Sequence, residues 1–194
     1  MSKTEKHIEY WSNGQKLTEG TSKDGKKDGK WTGWYENGQK LYEVTWKDGE
    51  IDEKQTEWYS NGQKKQEINH KDGEWDGLWT EWYENGQKER EINCKDGKWD
   101  GLWTEWNKNG QKMLVGTYKD GEEYGKWTWY HENGQKIEEG TYKGLYEWVL
   151  PIKDGKWTKW YDNGQKKEEV TFIKDGEQIY SKCWDEDGNE IDCD

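Results

Sequence analysis

The chain has one proline, one phenylalanine, two methionines, three cysteines and three histidines in 194 residues. Ile, Leu and Val are scarce too, and with 28% hydrophobic against 37% charged residues the chain is too polar for a thick three-dimensional core. The lone proline, Pro151, excludes polyproline segments. Cys94, Cys183 and Cys193 are odd in number and match no zinc spacing, and no apolar run is long enough for a signal peptide or a membrane-spanning helix. A reducing, cytoplasmic location is the expectation, a leader already removed being the alternative. His7, His70 and His131 fall in different slots of the pattern described below, so no pair of them recurs as ligands or catalysts.

The apolar mass lies in 17 Trp and 12 Tyr, which suit pleated, half-exposed sheets and argue against disorder. The 24 Gly mark turns that need positive φ. A formal charge of −12 predicts repulsion of nucleic acid and anionic lipid and favours a basic or neutral partner. The same charge also serves solubility.

Asn-Gly-Gln-Lys occurs seven times, with Asn at 13, 37, 61, 85, 109, 133 and 163, and an Asp-Gly-Asn-Glu variant follows at Asp187. The spacing is 24 residues except for one step of 30, so one unit carries a six-residue insertion around 144–150. Such a period marks units that cannot bury a core alone and stack on their neighbours. The expected fold class is all-β: an elongated repeat array of about eight 24-residue β-hairpins forming a single twisted antiparallel meander sheet over residues 1–194, one domain, with turns at 13–14, 37–38, 61–62, 85–86, 109–110, 133–134, 163–164 and 187–188. At two strands per unit it would be on the order of 75 Å long.

Asn-Gly between aromatic and β-branched runs predicts a type I′ turn with Asn37 and Gly38 both at positive φ. The register then pairs Glu36 with Gln39, Tyr35 with Lys40, Trp34 with Leu41, Gly33 with Tyr42, Thr32 with Glu43 and Trp31 with Val44. Lys-Asp-Gly supplies the second turn, as at Asp24-Gly25 and Asp48-Gly49, and a further Asp-Gly often precedes the next strand, as at Asp76-Gly77. The unit reading Asp52-Glu53-Lys54-Gln55 has lost both Gly and Trp and should loosen or bend the sheet.

Alternation divides each hairpin between two faces. One carries the aromatic three before each turn Asn or Asp (Trp34, Trp58 and their equivalents), with a Thr column and a Glu in most units, a constant ladder expected to hold units together. The other carries Trp31, Trp79, Trp103, Trp127 and Trp157 among positions that vary from unit to unit. Variation on a constant scaffold makes a repeat surface specific. The expected partner-binding residues are therefore Tyr42, Trp46, His70, Arg90, Leu114, Tyr118, Trp129 and Phe172, with Leu145, Tyr146 and Trp148 of the apolar insertion, through which self-association is also expected.

No nucleophile elbow, phosphate loop, His-Glu-x-x-His or dinucleotide fingerprint occurs, and the Asp-Gly spacing matches no calcium loop. No catalytic residue, cofactor or metal is expected.

The unit Gly-Lys-Trp-Thr-x-Trp-Tyr-x-Asn-Gly-Gln-Lys-x-x-Glu-x-x-x-Lys-Asp-Gly, as at 29–49, 101–121 and 155–176 with small changes, resembles the bacterial MORN-repeat variant, and in particular the YwqK-like antitoxin components. The resemblance spans nearly all of residues 7–191. It implies an array of hairpins and a non-enzymatic role in binding a protein, for that group a toxin to be neutralised. Trp-Tyr hairpins also describe cell-wall carbohydrate- or choline-binding repeats, the alternative function, with a self-assembling scaffold the third.

Overall fold

A computed structural model describes residues 2–146, 150–173 and 176–193. The chain divides into two compact units, Met1–Lys98 and Trp99–Asp194. Unit 1 holds β1 (Thr4–Tyr10), β2 (Lys16–Lys23), β3 (Lys26–Lys27), β4 (Gly29–Trp34), β5 (Lys40–Lys47), β6 (Glu50–Trp58), β7 (Lys64–Lys71), β8 (Glu74–Trp82) and β9 (Lys88–Lys95). Unit 2 holds β10 (Lys98–Trp106, from Trp99 on), β11 (Lys112–Lys119), β12 (Glu122–Tyr130), β13 (Lys136–Tyr146), β14 (Leu150–Trp160), β15 (Lys166–Phe172), β16 (Gln178–Trp184) and β17 (Glu190–Ile191). Within each unit strands pair antiparallel along the chain, so the all-β meander expected from the repeat is what forms.

The type I′ geometry expected at Asn-Gly forms instead at the second turn. Positive φ at both central residues belongs to Asp-Gly, as at Asp48 (51°) and Gly49 (93°), where Lys47 pairs with Glu50 across a two-residue loop. At Asn-Gly only the Gly is left-handed, Gly38 at 81°. There the Gly38 amide donates to the Tyr35 carbonyl and the Tyr35 amide to the Gln39 carbonyl, both 2.9 Å, closing a three-residue loop with a bulge. The bulge moves the outer register by one, so that Trp34 faces Lys40. Gly33–Tyr42, Thr32–Glu43 and Trp31–Val44 pair as expected. The reason lies in the side chain: Asn37 Oδ1 accepts from the Gln39 amide at 3.0 Å, which caps the loop without a left-handed Asn.

Asp28-Gly29 opens β4 as expected, but Asp76-Gly77 lies inside a strand. Gly77 (φ 100°) sits within β8, where Ile68 faces Trp79 but His70 faces Trp75, so the later strand carries two extra residues. Glu53 takes the same place with φ 64°, and β6 runs through it unbroken; the loosening expected there is absent because Glu adopts the left-handed conformation.

Three of the four letters of the repeated motif, Asn, Gln and Lys, reach the following repeat. Asn37 Nδ2 donates to the Ser60 carbonyl at 2.9 Å, and Asn13, Asn61, Asn133 and Asn163 repeat the contact 23 or 29 residues on. Gln39 lies over the next turn so closely that a Cβ at Gly62 would stand 2.9 Å from its Oε1. Lys40 covers the Trp58 ring, 5.2 Å from its centroid. Two residues before each Asn, Tyr35, Tyr59 and Tyr161 donate from their hydroxyls to the carbonyls of Trp58, Trp82 and Trp184, and Trp11 donates from its indole to that of Trp34.

Candidate functional site

The face whose residues vary is where the core sits. Trp31, Val44, Ile68, Ile92, Trp103, Trp127, Trp157 and Val170 are buried there, as are Cys94 and Tyr142. Opposite glycines admit three of the rings: a Cβ at Gly20, Gly116 or Gly140 would lie 2.1, 2.3 and 2.0 Å from Trp31, Trp127 and Trp157. Where Ile68 fills that slot Trp79 cannot lie flat, and Trp75 joins it with centroids 5.2 Å apart.

The expected contact residues are accordingly drawn into packing. His70 is buried, 8% exposed, and both ring nitrogens lack a partner, so it offers nothing to a partner protein; burial lowers its pKa. Tyr42 is half-buried against Gly33, its hydroxyl 3.1 Å from Thr18 Oγ1. Lys27 covers Trp46 at 4.6 Å, and Arg90 pairs with Glu81 at 3.4 Å. Tyr118 stands among Trp99, Trp103 and Trp127, and Leu114, Trp129 and Phe172 pack on the cluster of Trp127, Tyr142 and Trp157. Burial pushes the Cys94 thiol up to about 11 and the Tyr142 hydroxyl up to about 12. The insertion lengthens the β13–β14 hairpin, Leu145 facing Pro151 and Tyr146 facing Leu150 along the backbone. Trp148 lies outside the described residues.

The constant face presents the open surface. Each of five glutamates there holds two lysines: Glu19 with Lys6 and Lys16 (2.8 and 2.5 Å), Glu43 with Lys30 and Lys40 (2.6 and 2.8 Å), Glu67 with Lys54 and Lys64 (2.6 and 2.7 Å), Glu139 with Lys126 and Lys136, and Glu169 with Lys156 and Lys166 (2.6 and 2.9 Å). In the fourth repeat Lys88 holds Glu91, and Leu78 stands where the first three repeats have their other lysine. The lysines that follow each turn also cover the tryptophans, Lys16 on Trp34, Lys64 on Trp82, Lys136 on Trp160 and Lys166 on Trp184 at 5.4 to 5.6 Å. Hydrogen bonds from Lys16 and Lys6 hold the Glu19 carboxyl down to about 2, and Lys156 and Lys166 lower Glu169. For Glu43, Glu67 and Glu139 burial is the largest single effect and pulls upward, but the paired lysine hydrogen bonds and charges together outweigh it and the pKa falls.

Two equivalent grooves open on this face. One of 360 Å³ has Gly20, Thr21, Thr32 and Trp34 between Lys6, Lys30, Lys40, Glu19 and Glu43; the other, of 420 Å³, has Gly140, Thr141, Thr158 and Trp160 between Lys126, Lys156, Lys166 and Glu139. In unit 1 this stripe sets seven lysines (6, 16, 30, 40, 54, 64, 88) against four glutamates (19, 43, 67, 91), so an acidic chain carries a locally basic surface. Sequence reasoning assigned these residues a holding role and missed their excess of positive charge, although the fixed offsets of Lys and Glu from each Asn carried it. Among the described residues no group of three or more His, Cys, Asp or Glu could hold a metal ion, and no helix is long and apolar enough to cross a membrane.

One further bond was not foreseen: Cys183 on β16 and Cys193 form a disulfide, leaving Cys94 as the free thiol.

A family model described as the MORN repeat variant matches residues 27–48, 54–72, 75–96, 99–120, 123–143 and 153–174, six segments that each contain one strand–turn–strand hairpin. No curated protein matches the chain. The hairpin of β1 and β2 and the turn at Asp185 to Asn189 lie outside those segments but close with the same pair of backbone bonds. Matched over more than half its length, the chain belongs to the MORN repeat variant family.

Proposed function

We propose that this protein is a non-enzymatic scaffold that binds another protein along the constant face of its hairpin repeats. The observation that carries the reading is the recurrence of one open cell, Lys and Glu around a Trp floor, in successive repeats. Aromatic anchors ringed by charge are what protein interfaces use for affinity and encounter. The variable residues act behind this surface, by packing. On the resemblance to YwqK-like proteins, the partner is a toxin and the scaffold its immunity-type neutraliser. The Cys183–Cys193 bridge supports a compartment in which disulfides persist.

The test is affinity capture from the source organism with the intact protein and with Trp34→Ala/Trp58→Ala, followed by titration calorimetry on the purified captured protein. Saturable binding by the intact chain, lost in the variant with its circular dichroism unchanged, is expected. Equal binding by both removes the constant face from the reading. Growth rescue on co-expression with the captured protein tests the neutralising role.

Carbohydrate binding is the second reading, favoured by the Trp and Thr floor of the grooves, where a sugar ring could stack and hydrogen-bond. Quenching of Trp fluorescence by cell-wall fragments, with no captured protein, would favour it.

A further inference from the structure

We infer that the constant face of unit 1 takes an extended polypeptide in the polyproline II conformation that carries an acidic residue at every third position. The inference rests on the protein-binding reading above and reverses the partner charge suggested by the net −12.

Three properties of the stripe carry it. First, the sign of the surface differs from the sign of the chain. Each Glu of the first three repeats is already held by two lysines, as Glu43 is by Lys30 and Lys40, so every cell keeps one positive charge in excess. The acidic residues that set the net charge lie elsewhere, many of them at the turn tips, such as Glu36 and Glu84 beside Asn-Gly and Asp48 and Asp72 at the other end. A slender acidic ligand running across the strands is attracted along the middle and repelled from both rims.

Second, the floor is aromatic. Trp34, Trp58 and Trp82 recur once per hairpin, each half-buried and each under a lysine ammonium of the preceding repeat. Aromatic-lined grooves are the surface on which polyproline II segments dock, because that helix is preformed and little entropy is lost on binding.

Third, the periods agree. Two antiparallel strands place equivalent cells about 9.6 Å apart, and one turn of polyproline II advances about 9.3 Å over its three residues. A carboxylate at every third residue therefore meets the excess positive charge of successive cells without losing register over three repeats. A β-strand ligand, whose like-facing residues recur every ~6.6 Å, falls out of step within one cell. Leu78 takes the lysine slot in the fourth repeat, so the run of complete cells ends there.

Fluorescence anisotropy with the full chain tests this, using a labelled peptide of Glu-Pro-Pro triplets against a peptide of the same composition with its glutamates in one block. The triplet peptide should bind saturably, about tenfold more tightly than the block peptide, with affinity falling as salt is raised. Lys30→Gln/Lys40→Gln/Lys54→Gln should weaken it by about tenfold. Because that variant also loses ion pairs, Glu43→Gln provides the opposite check: it removes the opposing charge and should tighten binding. Equal affinity for the two peptides, no binding, or no response to either variant overturns the inference. Stronger binding to dextran sulfate or to phosphatidylserine vesicles than to the triplet peptide overturns it as well. Failure of the peptide while the captured protein still binds the intact chain rejects the acidic ligand and leaves the protein-binding reading standing; failure of both rejects both.

Discussion

Gly140 shows how one missing methyl group positions a core ring. The Trp157 indole lies against its backbone, donating to the Thr141 carbonyl at 3.2 Å, and a Cβ there would intrude to 2.0 Å. Gly140→Ala should therefore force the ring off its rotamer and destabilise the protein by about 2 kcal/mol, seen as a lower midpoint in urea with an unchanged slope. An unchanged midpoint would mean that the indole moves at no cost. Glu53 is the opposite case, a residue that would be better as glycine. It holds φ at 64° on an exposed position where neighbouring repeats have Gly29 and Gly77. Glu53→Gly removes left-handed strain and should stabilise by about 1 kcal/mol, read as a raised melting temperature. The sequence marked Glu53 as a departure but not its consequence, because strain at one backbone site is a property of the strand around it. His70 was misread for a related reason: variable composition on a strand face looks the same whether the face is a contact surface or a core that each repeat fills differently.

At the scale of the element, the hairpin was legible and its chirality was not. Both dipeptide turns satisfy the composition of a type I′ loop, yet only Asp-Gly forms one, since the Asn side chain is engaged with the Gln amide and with a carbonyl of the next repeat. Local propensity names the turn; contact with the following hairpin selects its type. In the last hairpin the second strand, β17, has two residues, pairing Ile191 with Cys183 and Glu190 with Trp184. The Cys183–Cys193 bond closes that hairpin covalently, while Tyr161 and Asn163 hold its first strand and turn from the other side through the carbonyls of Trp184 and Glu186. Reduction should therefore act locally. Hydrogen exchange in dithiothreitol is expected to show faster exchange of the amides in 183–191, with β7 unaffected. Equal acceleration in β7 would show that the bond stabilises far more than the hairpin it closes.

For the whole molecule the decisive quantity is how charge is arranged rather than its sum. The formal −12 led to an expected basic or neutral partner, and one-dimensional composition could not show that Lys and Glu at fixed offsets gather on one face. The same arrangement sets the response to acid. Glu19, Glu43, Glu67, Glu139 and Glu169 all have carboxyls lowered in the folded protein, Glu19 to about 2. A lowered pKa means that the unfolded chain binds protons first, so their stabilisation is present above about pH 4.5 and is lost as pH falls through the folded values. His70 adds a separate, earlier step. Burial lowers its pKa, so the unfolded state is the more protonated one below about 6.5, and stability declines from there. The melting temperature followed by Trp fluorescence should thus fall in two stages, a shallow one beginning below about pH 6.5 and a steep one below about pH 4.5. His70→Phe should flatten only the first. In the second, protonation leaves 30 Lys and Arg and three His without counter-charge, and the paired lysines of the stripe repel one another. Added salt should then raise the melting temperature near pH 3 by screening that repulsion, while near pH 7 it should lower the contribution of the exposed Lys–Glu pairs. A salt effect of the same sign at both pH values would show that the stripe's ion pairs contribute nothing measurable to stability.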